Sequence, residues 1–199
     1  MKNKAILSLF CLLLTSSINA NNLVENGDFE TGGGSGASRD FNVTANWYNR
    51  GGKQEATARR SDHNPAGSQF NALITDRAGV GTLHSQKTGY VIRAGDTFEV
   101  TFDSYCSPAS WHERDIIRLV LFATENDRLA GEVVWEHNFE KLTDVLGVWE
   151  TVHGVSQKVE PPAVGKRLFV NFYGVDPKGN VDRSTSYARV DNIVLKVLK

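Results

Sequence analysis

Alternation of apolar and polar residues is the strongest pattern in the chain, and it is clearest over residues 97–106. Phe98, Val100 and Phe102 fall on one phase; Thr97, Glu99, Thr101, Asp103 and Tyr105 fall on the other. In an extended strand these phases are opposite faces, so one packs on a core while the other meets solvent or a ligand. Residues 116–123 are apolar almost throughout, with Arg118 breaking the run, which predicts a central strand. Shorter strand patterns recur at 22–29, 70–74, 90–92, 133–135, 149–155, 168–173 and 187–195. Turn signals separate them: Arg93-Ala94-Gly95-Asp96, the rigid Pro161-Pro162 connector and Asp176-Pro177-Lys178-Gly179-Asn180. Residues 31–38, rich in glycine and serine, read as a flexible loop. No segment keeps a helical period over two turns, although residues 125–145 leave room for a short helix. Many short strands punctuated by turns define an all-β sandwich.

Composition narrows this picture. Lys2 and Lys4, the apolar run from Ala5 to Leu14 and Ile18-Asn19-Ala20 form a signal peptide over residues 1–20, with cleavage expected after Ala20. Ser8-Leu9-Phe10 is a poor lipidation context for Cys11. The remaining residues, 21–199, suffice for one domain with a real core and are too few for two. They hold no apolar run long enough to span a bilayer. A secreted or periplasmic location follows as an expectation. The formal charge of −1 becomes −3 once Lys2 and Lys4 are removed, which is no signature of a nucleic-acid partner. Cleavage also leaves Cys106 as the only cysteine, so no intrachain disulfide is expected and Cys106 reads as a small buried hydrophobe. Over residues 50–93, Arg50, Lys53, Arg59, Arg60, Arg77, Lys87 and Arg93 face only Glu55, Asp62 and Asp76. This stretch is either a solvated basic surface or a patch for an anionic ligand.

Four segments carry a family resemblance. Asn26-Gly27-Asp28-Phe29-Glu30 opens the chain, and Asn46-Trp47 is followed by Gly51-Gly52. Residues 91–102 join an apolar pair to Arg93-Ala94-Gly95-Asp96 and the alternating strand. Val148-Trp149-Glu150-Thr151-Val152 and Val190-Asp191-Asn192-Ile193-Val194-Leu195 complete the order. In that order the chain resembles the carbohydrate-binding modules of the galactose-binding-like jelly-roll superfamily, above all families four, nine and twenty-two. The resemblance implies a β-sandwich jelly roll, a polysaccharide or oligosaccharide ligand on a concave sheet, and a structural calcium ion tying the first strand to the last. Carried over by position, Glu30 and Asp191 are the side-chain calcium ligands, with Asp28 and the Gly52-Lys53 backbone beside them. It also assigns Trp47 and Trp149 to packing. Without a cation, the two acids read as solvated edge carboxylates, or one pairs with Arg189 or Lys53.

Sugar recognition needs flat aromatic rings for pyranose C–H faces and fixed donors and acceptors for hydroxyls. Tyr105 on the polar phase, Trp111 in a polar loop, Arg118 in an apolar strand, and Asn171 with Tyr173 on the phase opposite Phe172 are the candidates, read as lining one sheet. Arg59, Arg60 and His63 would serve an acidic polysaccharide, because guanidinium groups pair bidentately with carboxylate or sulfate. A non-catalytic binder is expected. The enzymatic alternatives are a lyase built on Tyr105, His112, Arg114 and Arg118, and a glycosidase using Glu99 and Asp103. A sandwich used for protein adhesion is the third reading.

Overall fold

A computed structural model describes residues 22–31, 38–39, 46–49, 57–58, 68, 70–74, 84–106, 116–125, 131–140, 147–175 and 188–198. Two antiparallel sheets face each other. The six-stranded sheet runs β1 (Ser38–Arg39), β3 (Thr57–Ala58), β4 (Ala72–Ile74), β11 (Ala188–Leu198), β6 (Thr97–Cys106) and β9 (Trp149–Val155). The five-stranded sheet runs β2 (Tyr48–Asn49), β5 (His84–Val91), β10 (Arg167–Val175), β7 (Ile116–Thr124) and β8 (Glu132–Glu140). This is the expected all-β jelly-roll sandwich.

The core is what the alternation dictates. Phe98, Val100 and Phe102 of β6 are fully buried between the sheets. Leu119 and Leu121 of β7 and Leu168, Val170 and Phe172 of β10 meet them from the other side. The Phe102 ring stands edge-on to Phe172 at 5.3 Å and to Phe139 at 5.0 Å. Trp47 is buried in the same cluster, 5.2 Å from Phe29 and 6.4 Å from Phe172. Its indole N–H donates to the Asn26 carbonyl at 3.0 Å, which satisfies the one polar atom the ring brings inside.

Three expectations need correction. The 22–29 segment is a run of bends and turns, not a strand. Asn26 and Phe29 hold φ values of 52° and 56°, outside the strand region. The segment nevertheless follows β11. Leu23 N donates to Leu195 O at 2.8 Å and Ile193 N to Gly27 O at 2.9 Å. Asn22 Oδ1 accepts from Leu195 N at 2.9 Å. Gly27 lies so close that a Cβ there would overlap the Ile193 carbonyl oxygen. The second correction concerns residues 125–145: the strand read at 133–135 runs on as β8 to Glu140, and the room left for a short helix is not used among the described residues. Third, Trp149 is outside the inter-sheet core. It is half-buried at the start of β9, on the outer face, with its ring 5.3 Å from Tyr105.

Candidate functional site

The two outer faces of the sandwich differ in character. On the six-stranded sheet, cross-strand polar pairs cover the surface. Glu99 Oε1 lies 2.9 Å from His153 Nε2. Asp103 accepts from Thr151 Oγ1 at 2.6 Å and from Asn192 Nδ2 at 2.8 Å. Glu99 and Asp103 share one face of β6 four residues apart, and each carboxylate is engaged by its own neighbours rather than by a shared point.

The outer face of the five-stranded sheet carries a second, smaller apolar cluster. Val120, Phe122 and Phe169 are buried there, with the two phenylalanine rings stacked at 5.0 Å and Tyr173 packed against the group. This explains why β7 reads as apolar on both phases: one serves the core and the other this floor. Register places Tyr173 opposite Arg118, Asn171 opposite Val120 and Phe169 opposite Phe122. On the next strand Asn138 stands opposite Arg118 and Glu136 opposite Val120.

Polar groups ring the floor. Arg118 Nε donates to Asn138 Oδ1 at 2.9 Å and lies 3.3 Å from Glu136 Oε1. Asn171 is only 3% exposed. Its Nδ2 reaches the Tyr173 hydroxyl at 3.4 Å, whereas its Oδ1 has no hydrogen-bond partner among the described residues. The Tyr173 hydroxyl can donate or accept, so it suits either orientation of this amide.

Of the five candidates read from the sequence, Arg118, Asn171 and Tyr173 therefore share one face. Tyr105 does not join them: it is buried on the outer face of the opposite sheet, beside Trp149. Alternation reveals which phase faces out but not which sheet a strand joins. The lyase grouping of Tyr105 with Arg118 fails for the same reason, since the two stand on opposite faces of the sandwich. Trp111, His112, Arg114, Arg59, Arg60, His63 and the Gly52-Lys53 backbone lie outside the described residues. Asn138 and Glu136 were missed, although Glu136, Asn138 and Glu140 alternate with Trp135, His137 and Phe139, a strand signal hidden in the region read as ambiguous.

A second polar cluster sits at the seam of the chain's two ends. Ser68 Oγ donates to Asp191 Oδ2 at 2.7 Å and is 3.1 Å from Glu30 Oε1, so one hydroxyl bridges the two carboxylates. Phe70 N also donates to Glu30 Oε1, at 3.0 Å. Asp191 is fully buried, and its described partners are Ser68 and the Asn192 amide, with no cationic side chain. Burial pushes its carboxyl up to about 7, opposed by the hydrogen bonds from Ser68 and Asn192 and assisted by the charges of Glu30 and Asp103. Asp28 stands apart. Its Oδ1 accepts from Glu30 N at 3.4 Å, and it lines a cleft of about 280 Å³ with Asn22, Asn26 and Asn192. Among the described residues no three His, Cys, Asp or Glu side chains converge on one point.

No protein-family model matches this sequence, nor does any curated protein. Solved structures do match. An arabinose-bound α-L-arabinofuranosidase aligns with a TM-score of 0.62 and 12% identity, over 89% of this chain and 26% of the enzyme. A cyclase from Fischerella sp. TAU gives 0.60 and 14%, over 88% and 95% of the two chains. The xylan-binding CBM22-2 domain of Paenibacillus barcinonensis Xyn10C gives 0.54 and 13%, over 81% and 98%. This chain thus spans about a quarter of the arabinofuranosidase, whereas it spans almost all of the xylan-binding domain. Identities this low establish the shared fold, which is the β-sandwich of the carbohydrate-binding modules that the sequence resembles.

Proposed function

We propose that this protein is a secreted or periplasmic, non-catalytic module that binds a polysaccharide on the outer face of its five-stranded sheet. One observation carries the reading: Arg118, Asn171 and Tyr173 gather around an apolar cluster of Val120, Phe122 and Phe169 on one outer face. That combination suits an extended ligand that is both hydroxyl-rich and ribbed with C–H faces. The likeness to a xylan-binding domain supports the ligand class. Affinity electrophoresis of the full chain through gels containing xylan, galactan, β-glucan or a uronic polymer tests it. Retardation by at least one polymer is expected, and Tyr173→Ala should weaken binding about tenfold through loss of the ring. Mobility unchanged by every polysaccharide would refute the proposal.

We also propose that Glu30 and Asp191 hold a calcium ion, with Ser68 and nearby carbonyls completing an oxygen shell and Asp28 at its margin. The donor set is all oxygen, as a hard cation requires. Asp191, buried beside a second acid and with no cationic side chain among its described partners, is the kind of carboxylate that a bound cation would relieve. When bound, the ion would clamp the amino-terminal turns to β11. Thermal unfolding in calcium and in chelator provides the check. A hundredfold excess of calcium over its Kd should add about 2.7 kcal/mol of stability. Equal Tm values in millimolar calcium and in chelator would exclude the clamp.

A further inference from the structure

The five-stranded sheet ends at β8, and among the described residues no strand pairs with the far edge of β8. We infer that this edge binds a second copy of the chain, β8 pairing antiparallel with the copy's β8 about a two-fold axis at His137. The two five-stranded sheets then join into one sheet of ten strands. The inference is independent of the glycan reading.

β8 lacks the usual protection of an edge strand. Its residues are exposed on both phases: Glu136 and Asn138 on the outer face and His137 on the inward one, with Val133 56% exposed nearby. Natural edges are blunted by lysine, proline, short length or bulges. β8 is nine residues long and contains neither lysine nor proline. Its one irregularity, where the register with β7 shifts between Leu121 and Phe122, lies at its start and leaves Trp135 to Glu140 regular. Along that regular part the aromatic rings form a row. Trp135 and His137 stack nearly parallel at 5.6 Å, and Phe139 stands edge-on to His137 at 4.7 Å.

The residues of that stretch point to the occupant. Trp135-Glu136-His137-Asn138-Phe139 has the same pattern in both directions: an aromatic ring at each end, a polar oxygen-bearing side chain inside it and histidine at the centre. Antiparallel pairing about His137 sets Trp135 opposite the copy's Phe139 and Glu136 opposite the copy's Asn138. An aromatic pair and a carboxylate–amide pair therefore each form twice. Neighbouring registers that keep outer face beside outer face are disfavoured. Centring on Glu136 sets that residue against itself and Glu132 against Glu140, and centring on Asn138 sets Glu136 against Glu140. Like charges directly opposite destabilise a strand pair. Centring on Trp135 runs the pairing across the bulge. The sequence of the edge thus matches itself in one register.

A contact through one short strand pair is small, so the association is weak and depends on concentration. Sedimentation equilibrium of the full chain between about 5 and 500 µM, the range of a weak complex, tests it. The mean mass should rise from that of one chain towards that of two. His137→Lys sets two ammonium groups face to face across the axis. It should raise the dissociation constant at least about tenfold and leave the Tm of the dilute chain unchanged. Cross-linking gives a second readout. His137→Cys brings each thiol opposite its own copy, whereas Val133→Cys leaves the two about 25 Å apart along the paired strands. With diamide as oxidant, His137→Cys should form a disulfide-linked dimer faster than Val133→Cys or the parent. The mass of one chain over the whole range overturns the inference. So does a dimer that His137→Lys leaves intact, or cross-linking no faster at position 137 than at 133.

Discussion

Phe102→Ala is expected to lower unfolding stability by about 3–5 kcal/mol, the range for emptying a buried phenylalanine site. The size follows from its position. Phe102 is fully buried on β6 and meets Phe172 at 5.3 Å from the facing sheet and Phe139 at 5.0 Å from its edge strand. A methyl group in its place leaves a cavity between two sheets whose backbones are pinned by their own ladders and cannot collapse inward. Domains of this size are stable by only about 5–15 kcal/mol, so the variant should unfold at a much lower urea midpoint with an unchanged m-value. An unfolding free energy within about 1 kcal/mol of the parent would mean that this ring does not bridge the sheets.

The metal-free protein should become more stable on mild acidification. Asp191 has a folded-state pKa of about 7 against an ordinary value of 3.8, mainly because burial disfavours the carboxylate. The folded chain therefore holds this proton more tightly than the unfolded chain. The resulting stabilisation is complete below the unfolded value and is lost as pH rises through about 7. Three pH units correspond to about 4 kcal/mol, of which roughly 2–3 kcal/mol falls between pH 5 and 7.5. Urea unfolding in chelator at those two pH values, for the parent and for Asp191→Asn, isolates the effect from other carboxylates. The parent should lose stability relative to the variant as pH rises. Parallel pH profiles for the two proteins would show that Asp191 does not titrate in this way.

These expectations depend on features that the sequence discloses unequally. Phe98, Val100 and Phe102 were legible because a period of two leaves no other way to bury three aromatic and branched side chains. Arg118, Asn171 and Tyr173 were legible as outward positions for the same reason. Tyr105 was misplaced because phase is a local property, whereas membership of a sheet depends on pairings with β9 and β11 far along the chain. The opening segment, residues 22–29, read as a strand. Its positive-φ residues, Asn26 and Phe29, are fixed by packing on β11 and by the indole of Trp47, which no local rule reveals. The full length of β8 beyond residue 135 escaped notice because its apolar residues Trp135 and Phe139 close the edge of the sandwich over Gly154, with His137 exposed between them.

The bonds between the amino-terminal turns and β11 have a mechanical consequence. Leu23 faces Leu195 and Gly27 faces Ile193, so the two segments run in opposite directions with residue 22 beside the closing strand. Tension applied through chain entering at Asn22 and leaving at Leu198 would not shear this seam. It would peel it from one corner, one hydrogen bond after another. Glu30 and Asp191 lie beyond the first of those bonds, where a bound cation would stop the tear before it reached the sheets.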